Sequence, residues 1–174
     1  MNKVLLRAEE IPLPEWTRSA SSYIKSVLDI LGRKNWELSV LFCNNRYIRS
    51  LNSQYRSKDE ATDVLSFPLG EPGPDGRFLA GDIVISLDAL AENANYFNVS
   101  PDEELRRLLV HGILHLAGDD HAAYMGGTLV HAELLRQPDQ LGEGGELVFQ
   151  MFSAIVRKAA EIAEFLKGPF TIVI

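Results

Sequence analysis

Three of the four histidines in this 174-residue chain fall within eleven residues, in the segment HGILHLAGDDH at 111–121. His111 and His115 are four apart, which on a helix puts both imidazoles on one face, about a turn from each other. Two rigidly mounted nitrogen ligands suit Zn²⁺. Gly118 can reverse the chain and return His121 as a third ligand. Three neutral imidazoles leave the ion its full charge and one open position, where a bound water falls toward a pKa of about 7. The pattern therefore points to one zinc per chain and to a metal-dependent hydrolase. A lone histidine on an amphipathic helix is usually a surface or hydrogen-bonded core residue; three at this spacing around a glycine turn are hard to obtain that way. His131 lies outside the pattern and reads as a solvated bystander.

The neighbours narrow the chemistry. In helical zinc proteases the residue after the first histidine is the glutamate base. Here it is Gly112, so water activation falls to the metal or to another carboxylate. Asp119 and Asp120 are the adjacent candidates, and Asp120 is read as the group that orients a ligand imidazole.

The elements that must carry these residues are legible in the hydrophobic pattern. Residues 3–8 read as a strand, 15–31 as a helix stopped by Gly32, and 37–43 as a buried strand. Asn44 or Asn45 can cap a short helix bearing Tyr47, Ile48 and Leu51. Residues 63–68 and 80–86 read as a hairpin-like pair around the turn-rich GEPGPDGR, and 87–97 as a helix. Ser100-Pro101-Asp102-Glu103 is a capping box with proline at the first helical position. It opens the histidine helix, which runs to about Ala117. Beyond Tyr124, glycine pairs and Pro138 mark loops, 146–167 reads as a further helix, and FTIVI as a last short strand. The expected class is α+β: a mixed sheet packed with helices, a zincin-like metal helix, and a C-terminal helical extension over 126–174, all in a single domain spanning 1–174.

Composition sets limits. A 46% hydrophobic content at this length supplies the core of one globular domain. Cys43 is the one cysteine, so neither an intrachain disulfide nor a thiolate cluster is available. No apolar run of about 18 residues or signal-peptide pattern is present, and the expected setting is cytoplasmic with no membrane partner. The net charge of −7 argues against nonspecific coating of nucleic acid, though not against a local basic patch.

The histidine segment resembles the H-G-x-L-H-L-x-G-Y-D-H signature of the YbeY family, bacterial single-strand-specific endoribonucleases of ribosomal RNA maturation. LNSQYRSKDEATDVLSFP at 51–68 and LAGDIVIS at 79–86 look like two further signatures of that family, in order and spacing over residues 36–121. The resemblance implies that His111, His115 and His121 hold zinc and that Arg56 serves activity. It also implies as substrate the 16S ribosomal RNA precursor on the small ribosomal subunit, notably at its 3′ end, with a part in ribosome quality control. The chain departs from the pattern at Asp119, where the family carries tyrosine, and after Met125.

Arg46, Arg49, Arg56 and Lys58 lie within thirteen residues. Arg56 could grip a phosphate bidentately, with Lys58 beside it as a substrate-binding cation. Arg46 and Arg49 are read as a solvated face paired with Asp59, Glu60 or Asp63. Asp63 and Ser66 are read as structural, Asp82 as a buried brace or an acting group, and Arg106 and Arg107 as exposed. Two competing readings remain at this level: a peptidase or amidase on the same ligands, against which Gly112 speaks, and a ribosome-assembly factor with a structural zinc.

Overall fold

The computed structural model describes residues 1–118. The expected third ligand His121, with Asp119, Asp120, His131 and the whole 126–174 extension, lies outside the described residues. The elements follow the order β1 (Lys3–Ala8), α1 (Ala20–Ile30), β2 (Trp36–Cys43), α2 (Asn45–Arg56), β3 (Val64–Pro72), β4 (Phe78–Ser86), α3 (Leu87–Phe97) and α4 (Pro101–Leu116). The four strands form one mixed sheet in the order β1-β2-β4-β3. The first two pairings are parallel; β3 lies antiparallel to β4 at the edge. The α+β class holds.

Side chains alternate across the sheet. Leu38, Val40 and Phe42 on β2 share a face with Ile83 and Ile85 on β4, all buried. That face meets α1, through Ile24 and Leu28, and α4, through Leu105, Leu108, Leu109 and Ile113. The other face carries Cys43, Leu65 and Val84, which pack with Ile48 of α2.

The elements differ from expectation at two places. The helix predicted over 15–31 opens as a 3₁₀ turn, Glu15–Ser19. The buried Thr17 directs both its hydroxyl (2.7 Å) and its amide (3.1 Å) to the Pro14 carbonyl, and these three-residue bonds favour the tighter winding. The hairpin strands also run further than expected, β3 to Pro72 within GEPGPDGR and β4 from Phe78 just after it. Trp36 stacks on Phe78 at 5.0 Å, and the Phe78 amide donates to the Asn35 carbonyl. The turn is thereby confined to Gly73–Arg77, where the Gly73 amide donates to the Arg77 carbonyl at 2.7 Å.

Local chemistry fixes the helix ends. Asn44 accepts from the Tyr47 amide to start α2, and Ser57 ends it in the left-handed region at φ 57°. The Ser100–Glu103 capping box and Pro101 start α4 as anticipated. The Ser100 amide and hydroxyl hold the Glu103 carboxyl below its ordinary range. Gly118, at φ 82°, follows the last turn.

Candidate metal centre

Helix α4 divides its residues between two rows. Glu104, Leu108, Gly112 and Leu116 recur at four-residue spacing and are all buried, with Leu105, Leu109 and Ile113 alongside. Arg107, His111 and His115 form the neighbouring row and are half-buried. The two imidazoles sit edge to face, at 78° with centroids 4.5 Å apart, and their Nε2 atoms approach to 3.1 Å. One ring's N–H can donate to the other's bare nitrogen at that distance. With both nitrogens bare, it is also the approach of two ligands on one ion: zinc–nitrogen bonds of about 2.0–2.1 Å in tetrahedral array place the nitrogens roughly 3.3 Å apart. The Nε2 spacing of the pair is therefore close to that of two nitrogens on one zinc ion.

Three contacts seat this row against the edge hairpin. Near the start of α4, Arg107 donates to Glu104 (2.6 and 2.8 Å) and lies 3.4 Å from Asp63, just before β3. Asn93 of α3 joins the same two carboxylates at 3.0 and 3.2 Å. Midway, an ideal Cβ on Gly112 would stand 2.9 Å from Ile83 side-chain carbons, so the helix backbone rests on β4. At the far end, Leu116 meets Gly81, whose φ of 132° and 2.1 Å approach of the Phe67 carbonyl to an ideal Cβ admit only glycine. His111 and His115 lie between the first and last of these contacts.

The Arg107 cluster corrects the expectation of exposure for Arg106 and Arg107. Their side chains are 25% and 28% exposed. Arg106 pairs with Asp102 at 2.7 Å and lies over the Tyr23 ring, tying α4 to α1. Burial alone pushes the Arg107 guanidinium down, but the bonds to Glu104 and the charge of Asp63 outweigh it and raise it above its ordinary value. One signal for the cluster was in the sequence: Glu104 falls on the apolar row of its helix, where a carboxylate needs a partner. Asp63 is structural, as read. Ser66 pairs with Ile83 in the β3–β4 register and so shares the α4 face. Asp82 is not a buried brace; it is exposed and accepts from the Ser39 hydroxyl on the opposite face.

Arg56 closes α2 and is half-buried, as is Lys58. The Lys58 amide donates back to the Asn52 carbonyl, and the Asn52 side chain donates to the Glu60 carbonyl at 2.9 Å, fixing the loop after Arg56. Tyr55 leans on Phe67. In the strand register Phe67 and Pro68 oppose Asp82 and Gly81. Thus α2 and α4 end against the same stretch of the edge hairpin, from its two faces. Arg46 and Arg49 are neutralised by bidentate bonds to Glu10 and Asp59. Arg49 lowers the Asp59 carboxyl through these bonds and is itself raised. The solvated-face reading holds for both arginines, although the partner of Arg46 is Glu10 rather than a downstream acid.

These features define an α+β domain whose histidine-bearing helix closes on an antiparallel edge hairpin. The described geometry brings together two of the three histidines that the spacing marks as candidate ligands. The family described as endoribonuclease YbeY matches residues 5–126, a span that contains His111, His115, His121 and Arg56. The chain is 54% identical to endoribonuclease YbeY of Treponema denticola over 105 residues, 58% of this chain and 68% of that protein. It is 44% identical to the Treponema pallidum protein of the same name over 145 residues, 81% of this chain and 88% of that one. The solution structure of TM1509 from Thermotoga maritima shares the fold with a TM-score of 0.51 at 24% identity, over 90% of this chain and 93% of that one. The chain belongs to the YbeY family of endoribonucleases.

Proposed function

We propose that this chain is a zinc-dependent endoribonuclease that hydrolyses phosphodiester bonds of single-stranded RNA in the cytoplasm. Its substrate on this reading is the 16S ribosomal RNA precursor, cut toward its 3′ end on the small ribosomal subunit. The observation that carries the reading is the convergence of His111 and His115 to 3.1 Å, on the helix that holds the family's histidine signature. Zinc bound by His111, His115 and His121 would supply a Lewis acid and a water acidified toward neutral pH. The protein does the rest. The Arg107–Glu104–Asp63 cluster and the Gly112 and Gly81 contacts hold the helix that carries the two imidazoles against the edge hairpin. Arg56 offsets negative charge on the scissile phosphate, and Lys58 adds a second cation to the backbone contact. Asp120 orients a ligand imidazole. Gly112 faces Ile83, so position 112 has no room for the base of a peptidase.

Metal analysis of the purified full chain, coupled to cleavage of a 16S precursor fragment, tests this. The expected result is one zinc per chain, loss of metal and activity in His111→Ala, and retained metal in Arg56→Ala. In that last variant cleavage falls about 10²–10³-fold, the loss typical of removing one charge-stabilising donor. Full cleavage by His111→Ala, or a chain without stoichiometric metal, sinks the reading.

A further inference from the structure

Tyr55 is a large aromatic side chain left 61% exposed immediately before Arg56. It is not loose. Its ring meets Phe67 edge to face, with centroids 5.2 Å apart at 70°. Phe67 in turn packs against the buried cluster of Cys43, Ile48, Leu65 and Val84. The tyrosine is therefore oriented by the core while most of its surface stays in water. Leu69, two residues beyond Phe67 on the edge strand, is 54% exposed. Along the chain the tyrosine immediately precedes one cation, Arg56 in the same helical turn, and stands three residues before another, Lys58 on the loop that follows.

An oriented aromatic face next to cations is the arrangement that binds single-stranded nucleic acid: the cations track the phosphates while the ring stacks a base. We propose that Tyr55 is a base-stacking platform, and that a nucleobase next to the phosphate gripped by Arg56 lies on its open face. The inference deepens the endoribonuclease reading and rests on it. It also supplies a physical reason for single-strand preference, because a base paired within a duplex cannot turn its face to a side chain. The charge pattern fixes the occupant. RNA brings a phosphate with every nucleotide to a helix end that carries Arg56 and Lys58, which an apolar protein partner does not.

The test compares the full-length wild type with Tyr55→Ala and Tyr55→Phe. Each is measured for KM in cleavage of single-stranded RNA and for Kd on labelled oligoadenylate, with a matched abasic ribose-phosphate oligomer as the second probe. Binding is read by fluorescence anisotropy in a His115→Ala background that leaves the RNA intact. Stacking predicts that Tyr55→Ala weakens oligoadenylate about five- to a hundred-fold. It predicts that the alanine variant binds the abasic oligomer as the tyrosine protein does, and that Tyr55→Phe, which keeps the ring, recovers the oligoadenylate. Equal weakening on both oligomers would reveal a structural role and overturn the proposal. No weakening on either, with wild type still binding and cleaving RNA, would overturn it while leaving the endoribonuclease reading intact. A wild type that neither binds nor cleaves RNA would remove both. Because Tyr55 is exposed, an unchanged melting temperature is the expected check on folding.

Discussion

Gly112 and Ile83 are in direct contact: a Cβ placed on the glycine would stand 2.9 Å from two carbons of the isoleucine side chain. Helix α4 crosses β4 at this point, one residue after His111. Gly112→Ala must push the helix off the strand or force Ile83 from its rotamer, and overpacking of this kind costs roughly 1–3 kcal/mol. The expected result is a clear fall in melting temperature. Ile83→Val, combined with it, gives back part of the loss by removing one of the crowding carbons. If the two changes add without coupling in a double-mutant cycle, the contact is not the source of the effect.

The Arg107 cluster makes a second expectation about stability. Glu104 is 1% exposed and is the nearer of the two carboxylates on Arg107. Glu104→Ala leaves a half-buried guanidinium with Asp63 alone, at 3.4 Å. Breaking a buried pair from one side costs about 3–5 kcal/mol, and the residual Asp63 contact puts this case toward the low end. Chemical denaturation of Glu104→Ala should show that loss, while Arg46→Ala, whose pair with Glu10 is exposed, shows under about 1 kcal/mol. Similar effects from the two variants would mean that the cluster does not brace the helix.

The contrast between these clusters shows what a single sequence carries. Helix α4 was legible to its capping box because Ser100, Pro101 and Glu103 act on backbone within one turn. The histidine pair was legible for the same reason, as a four-residue spacing converts directly into a shared face. The Asp63–Asn93–Glu104–Arg107 cluster joins three elements, and no local pattern records that Arg107 turns inward. Gly112 shows the limit from the other side. Its type ruled out a peptidase base, but the contact with Ile83 that requires a glycine depends on where β4 passes. Tyr55 was read within a family signature, and only the position of Phe67 across the sheet edge shows that its ring is held and exposed at once. The hydroxyl of Thr17 defeated helical periodicity at the start of α1 because a three-residue hydrogen bond outcompeted the apolar stripe.

Cys43 offers a check on the sheet face under α2. The side chain is fully buried between β4 and Ile48, and burial pushes its thiol from 9.0 up to about 12. The folded protein at pH 8 should resist iodoacetamide, and label should enter on unfolding. The linkage has a definite sign. An acid whose folded pKa is raised holds its proton in the native state while the unfolded chain gives it up. This contribution to stability is complete below about pH 9 and erodes between about 9 and 12, with a slope approaching 1.4 kcal/mol per pH unit. Stability of the wild type should therefore fall more steeply between pH 8 and 10.5 than that of Cys43→Ala. Parallel curves, or rapid labelling of the native protein, would show that the thiol is accessible.

The last expectation concerns how the ligands share the metal. His111 and His115 already approach to 3.1 Å, so on the zinc reading the helix would supply two ligands at little reorganisation cost. Removing either one should abolish stoichiometric zinc, as each leaves an ion with a single helical nitrogen. His121 was assigned from its place after Gly118, and His121→Ala should weaken zinc as severely if that assignment is right. Asp120→Ala acts through an imidazole rather than on the ion, and losses of that kind are about 10–100-fold in affinity. His131→Ala should leave metal content unchanged. Competition against a chromophoric chelator separates these levels, because it reads affinity without requiring turnover. Zinc retained at full affinity in His121→Ala, together with loss in His131→Ala, would move the third ligand ten residues along the chain and leave the helical pair as it stands.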